Sequence, residues 1–491
     1  MSFRSNLLRA SALKPVTALS LAMALLLGSA AILPGAVRAE ETVAETPVSL
    51  SDQTGVAITI YNQDLALVRD QRKIALTAGL NDLAFADVSA LMRPETALLR
   101  VDGAKVTVRE QNFNFDLLTP EKLLEKSVGR KVRVITTNYA TGAETTEDAI
   151  VLSVSGGVVL KIGDRIETAS PGRIVFDEVP PNLRARPTLV IDANSDTAGT
   201  ATAQLSYLTG GLNWAADYVA SLSPDEKTLD IDGWVTLTNQ SGTTYRDAKL
   251  QLVAGDVHRV QETMMKTLDA VAAAPAPMAE QAMTEQSLFE YHLYTLGRPT
   301  TIAENQTKQV ALLSATSVPV DKEFRFTNLT ARGYTYDIGD QERVNATVYV
   351  SFVNNDASHM GMPLPKGTIR VYKADNDGQV QFVGEDAIDH TPKNEDVRLT
   401  LGQAFDVTAR ARQTKYEKIS DSVYESAYEV ELKNAKKEPV TVVLVEDVPG
   451  SWKILSESAK HEEVNSNRLR WEVTVPAEGS ATFNYAVRIR Y

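Results

Sequence analysis

The 491-residue chain carries 50 Lys+Arg against 63 Asp+Glu, a formal net charge of -13, and no cysteine. Hydrophobic residues at 43% and charged ones at 23% suit a globular protein of roughly two to four domains. The lack of cysteine excludes disulfides, cysteine nucleophiles, thiolate metal sites and a lipid-modified mature N-terminus.

Arg4, Arg9 and Lys14 precede an apolar run over 16–33, and Val37-Arg38-Ala39 offers small residues where a signal peptidase reads. This predicts a signal peptide over 1–39, cut after Ala39. The rival is an uncleaved anchor, but Ser20, Gly28, Ser29 and Pro34 dilute and end the run. Residues 40–491 hold 46 Lys+Arg and 63 Asp+Glu, a formal charge of -17. Such a surface repels phosphate backbones, so nucleic acid is not an expected partner. No later stretch suits a membrane span, so the mature chain is expected to be periplasmic or secreted.

In chain order, 40–55 reads as a flexible leader. An N-terminal small β-domain follows over 56–115, with strands at 57–61, 65–70, 82–85, 97–101 and 105–109. Asp102-Gly103 between the last two predicts a hairpin turn. The module 116–195 opens on a short helix: Thr119 caps it, Pro120 and Glu121 fill its first turn, and Gly129 ends it. Strands at 130–136, 148–153, 158–162 and 173–176, spaced by Gly and Pro turns, suggest a small SH3-like barrel. A strand at 188–192 leads out of it.

The C-terminal region, 200–491, reads as β-sandwich. Over 205–257 a Gly210–Gly211 turn, the alternating run Trp234-Val235-Thr236-Leu237-Thr238 and a second run at 249–253 predict antiparallel strands with one buried face. An Ala-, Pro- and Met-rich segment over 261–286 reads as a mobile insert. Strands are predicted at 291–294, 309–313 and 344–353, and a hairpin at 368–383 across Asp375-Asn376-Asp377-Gly378. The last four, at 428–432, 440–446, 468–475 and 481–488, have the spacing of an immunoglobulin-like end without its cysteines. The predicted fold class is mainly β.

Tyr207, Thr209, Gly210, Gly211, Trp214, Tyr218, Asn239, Gly242, Tyr245, Leu250, Leu252 and Gly255 form a pattern that resembles the DUF4139 family. The resemblance runs to the C-terminus. The pieces at 61–68 and 72–81 are similar to the region that commonly precedes that domain. It implies an exported bacterial protein, some of whose relatives carry the label mucoidy inhibitor, and it brings no catalytic motif.

The residues themselves point the same way. The five histidines, at 258, 292, 359, 390 and 461, show no metal-ligand spacing. Asp375-x-Asp377-Gly378 is a fragment of a calcium loop, but Gly384 stands where the bidentate Glu belongs. No nucleophile elbow, phosphate loop or dinucleotide fingerprint occurs, and neither cofactor nor metal is expected. Trp214, Tyr218, Trp234 and Tyr245, with Asp217 beside them, form a stacking platform for sugar or peptide if exposed, and sandwich core if buried. Their alternating apolar setting favours the core. The expected role is binding or scaffolding in the cell envelope, with a protein or a glycan as partner and the oligomeric state left open. The alternative is a glycan hydrolase using carboxylates such as Asp230 and Asp232, which share one strand face.

Overall fold

Period-two burial runs through nearly every element. In the Leu212–Leu222 strand, Leu212, Trp214, Ala216, Tyr218, Ala220 and Leu222 are buried, while Asn213, Ala215 and Ser221 are exposed. The computed structural model describes residues 43–180, 183–255, 257–258 and 283–491. The expected signal peptide and its Ala39 cut lie outside the described residues, as does the insert as far as 282. From Ala44 onward the chain forms one unit, mainly β as predicted. No helix of the described residues is long and apolar enough to cross a membrane.

Among the described residues, five sheets carry the fold. An eight-stranded sheet brings Leu65–Leu76 between Gln53–Tyr61 and Gly199–Thr209, and Gln53–Tyr61 also pairs in parallel with Tyr245–Ala254. N-terminal strands are therefore stitched into the C-terminal region. A four-stranded sheet joins Glu45–Val48, Gly79–Ala86, Thr188–Ser195 and Val106–Asn114. A five-stranded sheet runs Gln306–Pro319, Thr228–Asn239, Leu212–Leu222, Gly367–Ala374, Val380–Ile388. One core, reaching from Val48 to Leu399, fills the space these three sheets enclose.

Nine of the strands from Asp321–Thr327 onward form one sheet with Ser451–Glu457 and Glu462–Asn465 at its two edges, Gly367–Ala374 and Val380–Ile388 being left to the five-stranded sheet. Arg468–Val475 and Gly479–Arg490 lie near opposite ends of that order. Even so, the Trp471 ring is 5.1 Å from that of Tyr485 and 5.4 Å from that of Phe483. Ring contact between distant strands means that the sheet folds over itself into two layers, with Trp471, Phe483 and Tyr485 buried between them. Two strands, Val344–Val353 and Asp396–Ser420, pass through both cores. Phe352, Val397 and Leu399 belong to the first, and Ala346, Val407 and Ala409 to the second.

Four sequence expectations change. The supposed leader is ordered from Glu45, because Glu45–Val48 pairs with Gly79–Ala86. The Asp102-Gly103 turn exists, but its flanking strands part: Leu98–Asp102 pairs with Gly199–Thr209, and Val106–Asn114 with Thr188–Ser195. The 116–195 module has its own core of Val132, Val134, Ala149, Val151, Leu160 and Ile162. Its five-stranded sheet stays open, since the edge strands Arg165–Glu167 and Arg173–Val175 do not pair with each other. The tail of the insert is a strand, Thr284–Leu288, on the edge of the eight-stranded sheet. The helix is as expected, Pro120–Lys126, with the Thr119 hydroxyl accepting from the Lys122 N–H at 3.2 Å.

Candidate functional site

Strand parity separates the predicted aromatics. Trp214 and Tyr218 point inward from Leu212–Leu222, and Tyr245 is buried as well, with exposures of 8%, 0% and 5%. Trp234 occupies an outward position of Thr228–Asn239, opposite Asp217 and half-buried, whereas Trp214 pairs with Leu237. The two tryptophans lie on opposite faces of one sheet and form no common platform. Tyr218 donates to the Pro365 carbonyl at 2.8 Å, and Tyr245 accepts from Ser241 Oγ at 3.1 Å. Burial raises both hydroxyls, Tyr245 to about 12. Asp217 lies on the outer face, held by Arg370 Nη1 at 3.0 Å and Thr236 Oγ1 at 2.7 Å.

The motif residues around them lock loops together. Gly211 N–H donates to Asp64 Oδ1 at 2.7 Å, and the Gly211 carbonyl accepts from Gln240 N–H at 2.6 Å. Gly211 has φ +77°, and a Cβ there would meet the Gln240 carbonyl at 2.7 Å. Gly242 has φ +84°, and its Cβ would meet that of Ala90 at 2.5 Å. Only glycine fits either place. Beneath these turns runs a buried polar chain. Asn239 Nδ2 donates to the carbonyls of Thr243 and Ile302, its Oδ1 accepts from Ser241 N–H, and Ser89 Oγ joins Thr209 Oγ1 and the Ser241 carbonyl. Tyr207 closes it by accepting from Ser89 N–H at 3.2 Å. These groups satisfy one another, so their chemistry is spent on the fold.

One of the motif residues does reach a cavity. Trp214 walls a space of about 340 Å³ where Leu212–Leu222 runs parallel to Gly367–Ala374, with Ile388 on its apolar side. Asn62, Lys366, Thr368, Asp389 and His390 also line it. The Trp214 Nε1–H is buried and has no hydrogen-bond partner among the described residues. His390 Nδ1 accepts from Lys366 N–H at 3.2 Å, which leaves the proton of the neutral ring on Nε2. The cavity thus offers an aromatic wall with amide, hydroxyl, ammonium, carboxylate and imidazole groups around it.

A family model described as a domain of unknown function, DUF4139, matches residues 203–491. The chain belongs to this family. No curated protein matches it. The DUF4139 match begins inside the Gly199–Thr209 strand, whose two sheet partners, Leu65–Leu76 and Leu98–Asp102, precede it in sequence.

Of the other sequence candidates of this DUF4139 protein, Asp230 and the Asp375 turn have structural duties. Asp230 and Asp232 are exposed on the outward side of Thr228–Asn239. Asp230 Oδ1 accepts from Ser317 N–H at 2.8 Å, where the pairing with Gln306–Pro319 slips register. Asp375 Oδ1 accepts from Asp377 and Gln379 N–H groups, which makes the calcium-like fragment a hairpin turn. Among the described residues no three His, Asp or Glu side chains are grouped to hold a metal. Sequence reasoning missed Asn62, Lys366 and Asp389, and set His390 aside with the other histidines. They come from segments up to 328 positions apart, and nothing local marks any of them.

Proposed function

We propose that this DUF4139 protein is an exported envelope protein that works by non-catalytic binding, holding a glycan unit in the Trp214 cavity. The observation that carries this reading is the Trp214 ring in the wall of a 340 Å³ space that is also lined by polar side chains. Sugars present apolar ring faces and many hydroxyls, which an aromatic wall with convergent donors and acceptors complements. The basic and apolar pattern of residues 4–39 supports export. The hydrolase alternative rests on Asp230 and Asp232, neither of which lines this cavity.

The test is calorimetric titration of the mature chain, residues 40–491, with soluble fragments of envelope glycan. Lys366→Ala is expected to weaken binding about fivefold, the worth of one hydrogen bond, and Trp214→Phe, which keeps an aromatic ring in the core but shortens the wall, to weaken it by a similar factor. Binding unchanged in both variants would remove the cavity from the reading. No binding by wild type to any fragment would remove the glycan.

A further inference from the structure

Where the two cores meet, a second pocket of about 290 Å³ opens between the Trp214 sheet and the folded nine-stranded sheet. Its walls are apolar: Leu222 and Val383 from one side, Phe324, Val350 and Leu401 from the other. Its mouth is cationic. Lys322 Nζ and Lys373 Nζ each lie 2.5 Å from a different oxygen of Glu226. Partial burial opposes ionisation of that carboxyl, but hydrogen bonds and charge from Lys322 and Lys373 hold it at about 2. Glu226 therefore acts as an internal counter-ion shared by two ammonium groups.

A third ammonium is left over. Lys436 Nζ lies 5.6 Å from the centre of the Phe324 ring, and among the described residues no carboxylate is within ion-pair distance of it. Three lysines thus face two acids, Glu226 and the exposed Asp406 at the rim. Beside Asp406, Phe405 holds its ring in solvent at 89% exposure. An apolar pocket with net positive charge at its mouth and an exposed aromatic at its lip complements one chemistry. That chemistry is an apolar chain ending in an anion.

We propose that this pocket binds a single-chain amphiphile with one anionic head, the chain lying against Leu222, Val350 and Leu401, the head on Lys436, and the protruding chain covered by Phe405. At about 30 Å³ for each water-sized group, the space takes a chain of about ten carbons. This site is separate from the Trp214 cavity and stands whether or not that cavity binds glycan.

Decanoate below its micelle concentration is the probe, titrated into the mature chain by calorimetry, with decanol and acetate as controls. Decanoate is expected to bind at least about fivefold more tightly than decanol, and acetate not measurably, because chain and charge are both needed. Lys436→Gln should weaken decanoate about fivefold and leave decanol unchanged. Phe405→Ser should weaken both. Glu226→Gln should tighten decanoate, since Lys322 and Lys373 lose their internal counter-ion. Lys436 and Phe405 lie on the rim, so their variants test the site even if Glu226→Gln fails to fold. Equal affinity for decanoate and decanol, no effect of Lys436→Gln, or no binding of decanoate would each overturn the proposal.

Discussion

Glu446 is buried in the second core, 3% exposed, among neutral partners. Thr330 N–H donates to both its oxygens at 3.2 and 3.3 Å, and the Tyr334 hydroxyl donates to Oε2 at 3.4 Å. Burial outweighs these bonds and pushes the carboxyl up to about 7, from an ordinary 4.5. The folded state therefore keeps a proton that the unfolded state has lost, and stability falls as pH rises from 4.5 to about 7. The loss is roughly 2–3 kcal/mol by linkage. Urea denaturation of wild type at pH 5, 6, 7 and 8 should show that fall, and Glu446→Gln should flatten it. At the Gly210–Gly211 turn, Gly211→Ala is expected to cost about 2 kcal/mol or more, through its left-handed backbone and the clash with Gln240. Thermal denaturation checks it, with Gly103→Ala as the open-space comparison. At this scale the sequence showed which side chains matter and left open what they face. Trp214 and Trp234 looked like one cluster. Only the pairing of Asp217 with Trp234 shows that an even spacing of twenty, broken by a turn, sends the two rings to opposite faces.

Among the elements, Arg72 decides where the N-terminal strand attaches. Fully buried, it donates to Asp70 Oδ2 at 3.0 Å from Nε and 2.7 Å from Nη2, and through Nη1 to the carbonyls of Val48 and Ala86. One guanidinium thus ties Leu65–Leu76 to the ends of Glu45–Val48 and Gly79–Ala86. Arg72→Met leaves Asp70 as a buried charge and should cost about 3–5 kcal/mol. Hydrogen exchange should show protection lost first at 45–48. The elements that escaped sequence reading share a cause: the signal was weak locally or the partner was remote. Beyond Val397, Leu399 and Val407, Asp396–Ser420 buries Ala404, Ala409, Ala411 and Gln413, small or polar groups that give alternation little amplitude over the rest of its length. Glu45–Val48 buries only Val48, and the strand that defines it lies 37 residues on. The Asp102-Gly103 turn was legible, but Gly199–Thr209 and Thr188–Ser195 decide where its strands go.

For the whole molecule, the sheet order predicts that residues 200–491 do not fold alone. Tyr245–Ala254 would lose its parallel partner Gln53–Tyr61, and Gly199–Thr209 both of its neighbours. Near-ultraviolet circular dichroism and dye binding should show a loosely packed chain for 200–491 and a fixed tertiary fold for 43–491. The small open-sheet module is the opposite case. It leaves and rejoins the rest at one stem, where Leu118 N–H donates to the Arg184 carbonyl at 2.9 Å and Arg184 N–H to the Asp116 carbonyl at 3.0 Å. Its core is its own. Joining 117 to 184 through a short linker should leave the melting temperature of the remainder within about 5 °C. The consequence is one of heredity. A cassette hung on a single stem can be lengthened, exchanged or dropped by a lineage without re-registering any strand elsewhere, so descendants of one ancestor can vary here while the rest of the architecture stays fixed.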